Sequence, residues 1–159
     1  MAGPVRDSDV DVLVAVRGAP GAVRVATWTR RILARTGVPR ASVSILLCGD
    51  RRVRTLNREY RGNDRPTDVL SFSSGDVREA GGAGFLGDLV IGIPYAARQA
   101  RVLGHSLSRE IQVLLVHGIL HLLGHDHETD GGSMFRLQRR TVLGLFGKGP
   151  DGVPEEGAA

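Results

Sequence analysis

The chain has 159 residues, of which 42% are hydrophobic and 24% charged, and this excludes a disordered, collagen-like or coiled-coil protein. The length predicts one folded domain, placed at residues 1–146, with a disordered tail at 147–159. The net charge is +4, and Arg supplies all but one of the 21 basic residues, which permits nucleic-acid binding without requiring it.

The sequence favours a cytoplasmic protein with no membrane-spanning segment. The N-terminus lacks the basic stretch and continuous apolar run of a secretory signal. The longest nearly apolar stretch, 113–123, is interrupted by two histidines and a glycine and is shorter than the ~20 residues of a membrane-spanning helix. The single cysteine, Cys48, excludes an internal disulfide and a cysteine-only metal site, so histidines and carboxylates would have to hold any metal.

The first half of the chain alternates strand and helix patterns. Apolar residues at every second position predict strands at 10–16 and 43–47, and apolar residues at helical spacing predict a helix between them, from Ala22 to Gly37. Asp50 is predicted to cap a second helix. That helix and the turn after it carry a basic cluster, which by charge alone indicates a solvated helix face: Arg51, Arg52, Arg54, Arg58, Arg61 and Arg65.

The second half continues with two strands and three helices. A glycine-rich loop at 75–84, with a mobile tip, separates the two strands. The helix at 108–123, capped by Ser106 or Ser108, is apolar nearly all round and is therefore predicted to be central and buried. We expect an α+β fold, a small mixed sheet of about four strands packed with about five helices. The predicted elements are strands at 69–72 and 86–93 and helices at 94–103, 108–123 and 132–145.

The histidines point to a metal site on the central helix. All five lie between His105 and His127. His117 and His121 are four positions apart on one helix, so both imidazoles project from the same face. Gly124 can end the helix in a left-handed turn and return His127 as a third nitrogen ligand. Three such ligands fit a tetrahedral zinc ion with a fourth position left for water.

Three further residues near this pattern are not predicted to be ligands. His125 and His105 fit no ligand spacing and are interpreted as solvated or core-polar histidines. Asp126 is a candidate for orienting a ligand imidazole, and a simple loop carboxylate is an equal alternative.

The same spacing also occurs in metzincin zinc proteases, in which a glutamate follows the first histidine and acts as general base. Gly118 occupies that position here, so peptide hydrolysis lacks its base. Glycine inside a helix costs about 1 kcal/mol relative to alanine. We therefore expect Gly118 to allow close approach of a substrate backbone or a neighbouring helix.

Three sequence blocks together resemble one known family. HGILHLLGHDH, from His117 to His127, is similar to the signature of the YbeY family of bacterial zinc-dependent endoribonucleases. LNREYRGNDRPTDVLSF at 56–72 and LGDLVIGIP at 86–94 resemble its other blocks. The chain departs from the family pattern at His125, where Tyr is common, and at Ser73, where Pro is usual. Neither position is a predicted ligand.

The resemblance implies cleavage of single-stranded RNA in maturation of the 16S ribosomal RNA 3′ end, in other ribosomal RNA processing and in ribosome quality control. It implies one zinc ion per chain, a ribosomal RNA precursor as substrate, and the ribosome or small-subunit proteins as partners. Arg61 matches the arginine that the family uses for activity, and the resemblance implies that His117 and His121 are catalytic as well as metal-binding. Arg58 and Arg65 would contact RNA phosphates beside Arg61 without reading sequence.

Alternatives stay open at this point. One is a zinc metalloprotease-like hydrolase, and another is a ribosome-associated binding module whose zinc is structural. Arg61 could instead form a structural ion pair with Asp64 or Asp68. Asp68 and Thr67, at the start of a strand, are interpreted as residues that fix the loop.

Overall fold

The computed structural model describes residues 9–75 and 82–148 and confirms the predicted α+β class. Four strands and five helices are present in this part of the chain. The elements are β1 (Val10–Val14), α1 (Ala22–Arg35), β2 (Ala41–Cys48), α2 (Asp50–Arg61), β3 (Val69–Ser73), β4 (Gly84–Gly92), α3 (Ile93–Leu103), α4 (Leu107–Leu122) and α5 (Ser133–Phe146).

The four strands form one mixed sheet in the order β1-β2-β4-β3. β2 runs parallel to both β1 and β4, whereas β3 pairs with β4 in the antiparallel sense. Alternation along β2 divides the core: Val43, Ile45 and Leu47 are buried in the main cluster with residues of α1 and α4. Leu46 belongs to a smaller cluster that includes Val53 of α2. Helices therefore cover both faces, and α2 packs on the face opposite α4.

α4 is the central helix, as its all-round apolar surface predicts. Ten of its residues are buried, and it packs against α1, α3, α5, β3 and β4. Its cap is Ser106, whose side-chain oxygen accepts a hydrogen bond from the Arg109 backbone N–H at 3.1 Å. No helix within residues 9–75 and 82–148 combines the length and apolarity needed to cross a membrane.

Gly124 ends α4 in the left-handed conformation predicted for it, with φ of 96°. The backbone N–H of Gly124 donates to the carbonyl of His121 at 2.9 Å, and that of His125 donates to the carbonyl of Leu120 at 3.0 Å. This pair of bonds is a Schellman motif, which satisfies the last helix carbonyls and turns the chain. The turn brings the segment that contains His127 back beside the end of α4.

Three local predictions are corrected or fall outside the described residues. Asp50 is the first residue of α2 and does not cap it; the N-cap is Gly49, and the Asp50 carboxylate pairs instead with Arg98 at 3.1 Å. Residues 76–81, the tip of the glycine-rich loop predicted to be mobile, lie outside the description. So do residues 149–159 of the predicted disordered tail.

Gly118 allows a close approach, as expected, but the neighbour is a strand and not a substrate or a helix. A Cβ atom at this position would lie 2.6 Å from Cδ2 of Leu89 in β4. Both residues are fully buried. The sheet therefore occupies the space that a glutamate side chain at position 118 would need. A general base of the protease type has no room there.

We expect Gly118→Ala to lower the free energy of unfolding by about 1–3 kcal/mol, because the added methyl overpacks the contact with Leu89. Urea denaturation of both proteins measures this difference. Gly144→Ala in α5 is the matched control, since its Cβ would meet only the movable guanidinium of Arg35, at 2.9 Å. Alanine there should leave stability unchanged or raise it by up to about 1 kcal/mol. Equal losses in the two variants would contradict the packing explanation.

Candidate metal centre and the adjoining cleft

The structure brings the three predicted ligands together. The His117 and His121 rings on α4 have centroids 4.6 Å apart. The His127 ring lies 5.4 Å from the first and 5.1 Å from the second. One nitrogen from each imidazole lies within 4.8 Å of the other two. Helix spacing supplies two of these side chains, and the turn at Gly124 supplies the third.

The spacing of the nitrogens fits a bound metal ion. Nδ1 of His127 and Nε2 of His121 are 3.2 Å apart. Two nitrogens that bind one tetrahedral zinc ion at ordinary bond lengths are separated by about 3.3 Å. Three imidazoles form a donor set that suits zinc and other divalent transition metals. The residues present therefore can hold such an ion with little rearrangement.

Electrostatics keeps two of these imidazoles in the form that binds metal. Burial lowers the pKa of His117 by more than its hydrogen bond with Gln138 raises it, and the nearby His127 ring also lowers it. Burial likewise lowers the pKa of His121, with additional contributions from the other two histidines. A neutral imidazole carries the lone pair that ligates a metal. Because both pKa values are lowered, protons compete with metal at these two residues only in solution more acidic than an ordinary histidine would require.

Gln138 of α5 holds the ring of His117, the first of these candidate ligands. Nδ1 of His117 donates a hydrogen bond to Oε1 of Gln138 at 2.7 Å, and Gln138 is buried. The bond places the proton on Nδ1 and leaves Nε2 of His117 as the lone-pair nitrogen. The sequence analysis missed this residue; a polar side chain on the buried face of the last helix was its only signal.

Asp126 and the two remaining histidines are not part of the group of three candidate ligands. The Asp126 carboxylate accepts a hydrogen bond from the Glu128 backbone N–H at 3.0 Å, which is the loop arrangement. His105 pairs with the buried Glu110. His125 lines a separate pocket with residues of α1 and α5.

The triad forms part of a cleft of about 650 Å³ whose other lining residues come mainly from β3. Arg61, the last residue of α2, also lines this cleft. Its guanidinium lies 5.1 Å from the ring centroid of Phe72 and donates a hydrogen bond to the Ser71 carbonyl. The cleft thus holds three candidate metal ligands and a fixed cation.

The other arginines of the basic cluster occupy a different position. Arg54 binds Asp64 at 2.8 Å, and Arg58 lies 3.8 Å from the same carboxylate. Arg58 and Arg65 are exposed and do not line the cleft. Because Asp64 pairs with Arg54 while Arg61 binds β3, the structure does not form the ion pair considered for Arg61 in the sequence analysis.

Residues 22–145 match the family model described as endoribonuclease YbeY. The chain belongs to the YbeY family. Two YbeY relatives, named endoribonuclease YbeY, come from Aquifex aeolicus and Solibacter usitatus and are 47% and 45% identical to this chain over 127 and 137 residues. The matches cover 79% and 83% of this chain and 83% and 88% of the relatives. The resemblance found in the sequence is confirmed.

The same fold occurs in a protein of Thermotoga maritima whose solution structure is known. That structure aligns with a TM-score of 0.63 over 88% of this chain and 91% of its own, at 23% sequence identity. At this identity the likeness supports the fold alone.

We expect Gln138→Leu to weaken zinc binding by about 10- to 100-fold, the usual effect of removing a group that orients a ligand histidine. Without its acceptor, His117 can rotate or place its proton on the wrong nitrogen. Competition with a chromophoric chelator at neutral pH measures the affinity. Gln112→Leu on α4 is the matched control and should bind zinc as the unchanged chain does. An unaltered affinity in Gln138→Leu would show that this hydrogen bond does not orient the ligand.

Proposed function

We propose that this protein is a zinc-dependent endoribonuclease that cuts single-stranded RNA during ribosomal RNA processing, including maturation of the 16S ribosomal RNA 3′ end and ribosome quality control. The observation that carries the proposal is the shared cleft, in which Arg61 faces the same space as three histidines whose nitrogens can bind one metal ion. Membership of the YbeY family, whose relatives are named endoribonucleases, supports RNA as the substrate.

His117, His121 and His127 are the proposed ligands, and they leave one coordination position of a tetrahedral ion open. When bound, zinc supplies Lewis-acid chemistry: it lowers the pKa of water and withdraws charge from a phosphoryl oxygen. Gln138 holds His117 in the required tautomer. Asp126, beside His127 in the sequence, is a further candidate for orienting a ligand imidazole.

Arg61 is the proposed catalytic cation. Negative charge builds up on the phosphoryl oxygens as the phosphodiester is attacked, and a planar guanidinium can donate two parallel hydrogen bonds to them. One Arg61 nitrogen already binds the Ser71 carbonyl, and the group lies against the Phe72 ring. These two contacts hold the guanidinium in place before substrate binds, so little ordering remains at the moment of reaction.

Arg58 and Arg65 are proposed to contact the RNA backbone outside the cleft. Both side chains are exposed near the end of α2, and the loop that contains Arg65 is fixed by a 2.9 Å hydrogen bond from Asn57 to the Arg65 carbonyl. Such contacts fix the position of a strand without reading its sequence and weaken as salt concentration rises. We propose that ribosomal partners bind the domain at residues 1–146 and determine where the RNA is cut.

The experiment that tests the proposal is digestion of a structured RNA carrying single-stranded tails by the zinc-loaded chain. We expect cuts confined to the tails, lost when a chelator is added and restored by zinc. Mapping the cut ends at nucleotide resolution gives the result. A folded protein that holds one zinc ion per chain and leaves the tails intact would contradict an enzyme acting on free RNA and would favour a binding module with structural zinc.

A further inference from the structure

Asp68 is a clamped carboxylate in the same cleft. It lies immediately before β3 and lines the cleft with Arg61 and His117. Its Oδ1 atom accepts a hydrogen bond from the Val69 backbone N–H at 2.7 Å. Its Oδ2 atom accepts one from Nε2 of Gln99 on α3 at 3.1 Å. With both oxygens held, the carboxylate has a fixed orientation.

The residue that holds Asp68 is itself fixed from the interior. Nε2 of Gln99 also donates to Oε1 of Glu110 on α4 at 2.6 Å. Glu110 is 1% exposed, and its other oxygen contacts the His105 ring. A buried carboxylate is strongly unfavourable without such partners. The carboxylates of Asp68 and Glu110 both accept a hydrogen bond from the Gln99 amide nitrogen. Gln99 therefore cannot turn its amide oxygen toward Asp68, and the Asp68 carboxylate remains a hydrogen-bond acceptor.

A fixed acceptor in this position has a specific use. A carboxylate repels RNA phosphates and cannot hydrogen-bond to their oxygens, since neither group carries a hydrogen to donate. The ribose 2′-hydroxyl is a donor next to the phosphodiester, and its presence distinguishes RNA from DNA. Each carboxylate oxygen can accept two hydrogen bonds, and Oδ2 of Asp68 receives one from Gln99, so a position for a substrate hydroxyl remains.

We propose that Asp68 accepts a hydrogen bond from the 2′-hydroxyl of the nucleotide in the cleft, and that Gln99, fixed by Glu110, positions it. The inference rests on the proposed function and adds how the site selects RNA over DNA. Asp68 is then a specificity residue and Gln99 a positioning residue.

Fluorescence anisotropy of the 159-residue chain tests this, with labelled single strands of one sequence made as RNA, DNA and 2′-fluoro RNA. A 2′-fluoro group keeps an RNA-like sugar but has no hydrogen to donate. A chelator keeps the strands uncut. The contacts that hold the Asp68 carboxylate involve protein groups alone, so they do not require the metal. We expect the unchanged chain to bind RNA about tenfold more tightly than 2′-fluoro RNA, the effect of one hydrogen bond to a charged group.

Asp68→Asn should bring this ratio close to one. The Val69 N–H attracts the only acceptor oxygen of asparagine, so the new amide nitrogen faces the Gln99 nitrogen and offers no acceptor to the ribose. Asp50→Asn is the matched control, because this α2 carboxylate pairs with Arg98 of α3, and the variant should keep the ratio of the unchanged chain. If Asp68→Asn does not fold, Gln99→Met decides the question, because it removes the clamp and should also lower the ratio.

Two results would overturn the inference: an unchanged ratio in the folded Asp68→Asn or Gln99→Met variant, or no preference for RNA over 2′-fluoro RNA in the unchanged chain. Failure of the proposed function is distinguished by cleavage and not by the binding ratio. In that case the RNA strand stays uncut after zinc is supplied.

Discussion

His121→Ala will abolish both zinc retention and RNA cleavage. The nitrogens of His121 and His127 are 3.2 Å apart, and the His121 ring, in the last turn of α4, lies 4.6 Å from the His117 ring and 5.1 Å from the His127 ring. Removing a group that merely orients a ligand weakens metal binding by about 10- to 100-fold, so loss of a ligand should exceed about 100-fold. Metal analysis after dialysis and the cleavage rate on tailed RNA measure the two effects.

His125→Ala is the matched control for this experiment. His125 is two positions from His127 in the sequence, yet its side chain lines a different pocket, with Arg35 and Arg140. We expect this variant to retain zinc and to cut RNA at the unchanged rate. The triad assignment would be wrong if His125→Ala lost zinc to the same extent, or if His121→Ala retained it.

The grouping of the three histidines was predictable because its geometry is local. His117 and His121 share a helix face by spacing alone, and Gly124 is the residue type that a left-handed turn requires. The three candidate ligands therefore lie within one short segment whose shape is set by backbone geometry. Strand alternation along β2 and the apolar surface of α4 fixed the fold class in the same local way.

The residues that support the site were not predictable, because they depend on packing between distant elements. Gln138 is 21 positions from His117, and Gln99 is 31 positions from Asp68. No spacing rule connects α5 or α3 with the cleft before their docking on α4 is known. The neighbour of Gly118 was missed for the same reason, since Leu89 reaches it only through the packing of β4 against α4.

Charge alone also gave an incomplete answer for the basic cluster. It indicated a solvated helix face, and exposed Arg54 paired with Asp64 fits that interpretation. Arg61 differs only in its place on α2: it is the last residue of the helix, beside the antiparallel strand β3 that packs on α4. All three arginines are exposed, and this topology places Arg61 at the cleft while Arg54 and Arg58 lie outside it.

Arg61→Ala will reduce the cleavage rate by about 100- to 1,000-fold while leaving the zinc content unchanged, the effect of removing one donor that stabilises transition-state charge. The Arg61 guanidinium makes no contact with the histidine nitrogens and is held by Ser71 and Phe72, so metal binding does not depend on it. Single-turnover cleavage of tailed RNA, with metal analysis of the same sample, measures both quantities. Arg61→Lys should recover only part of the rate, because an ammonium keeps the charge but lacks the planar fork.

Arg54→Ala removes the same charge from the same helix and separates catalysis from general attraction of RNA. Arg54 is exposed and paired with Asp64, so its loss should weaken RNA binding slightly and leave the single-turnover rate at saturating enzyme unchanged. If Arg61 contributed only to the positive field, the two variants would be slowed equally, and both would recover at low salt. A rate defect in Arg61→Ala that persists at saturating enzyme and low salt would place the guanidinium at the reacting phosphate.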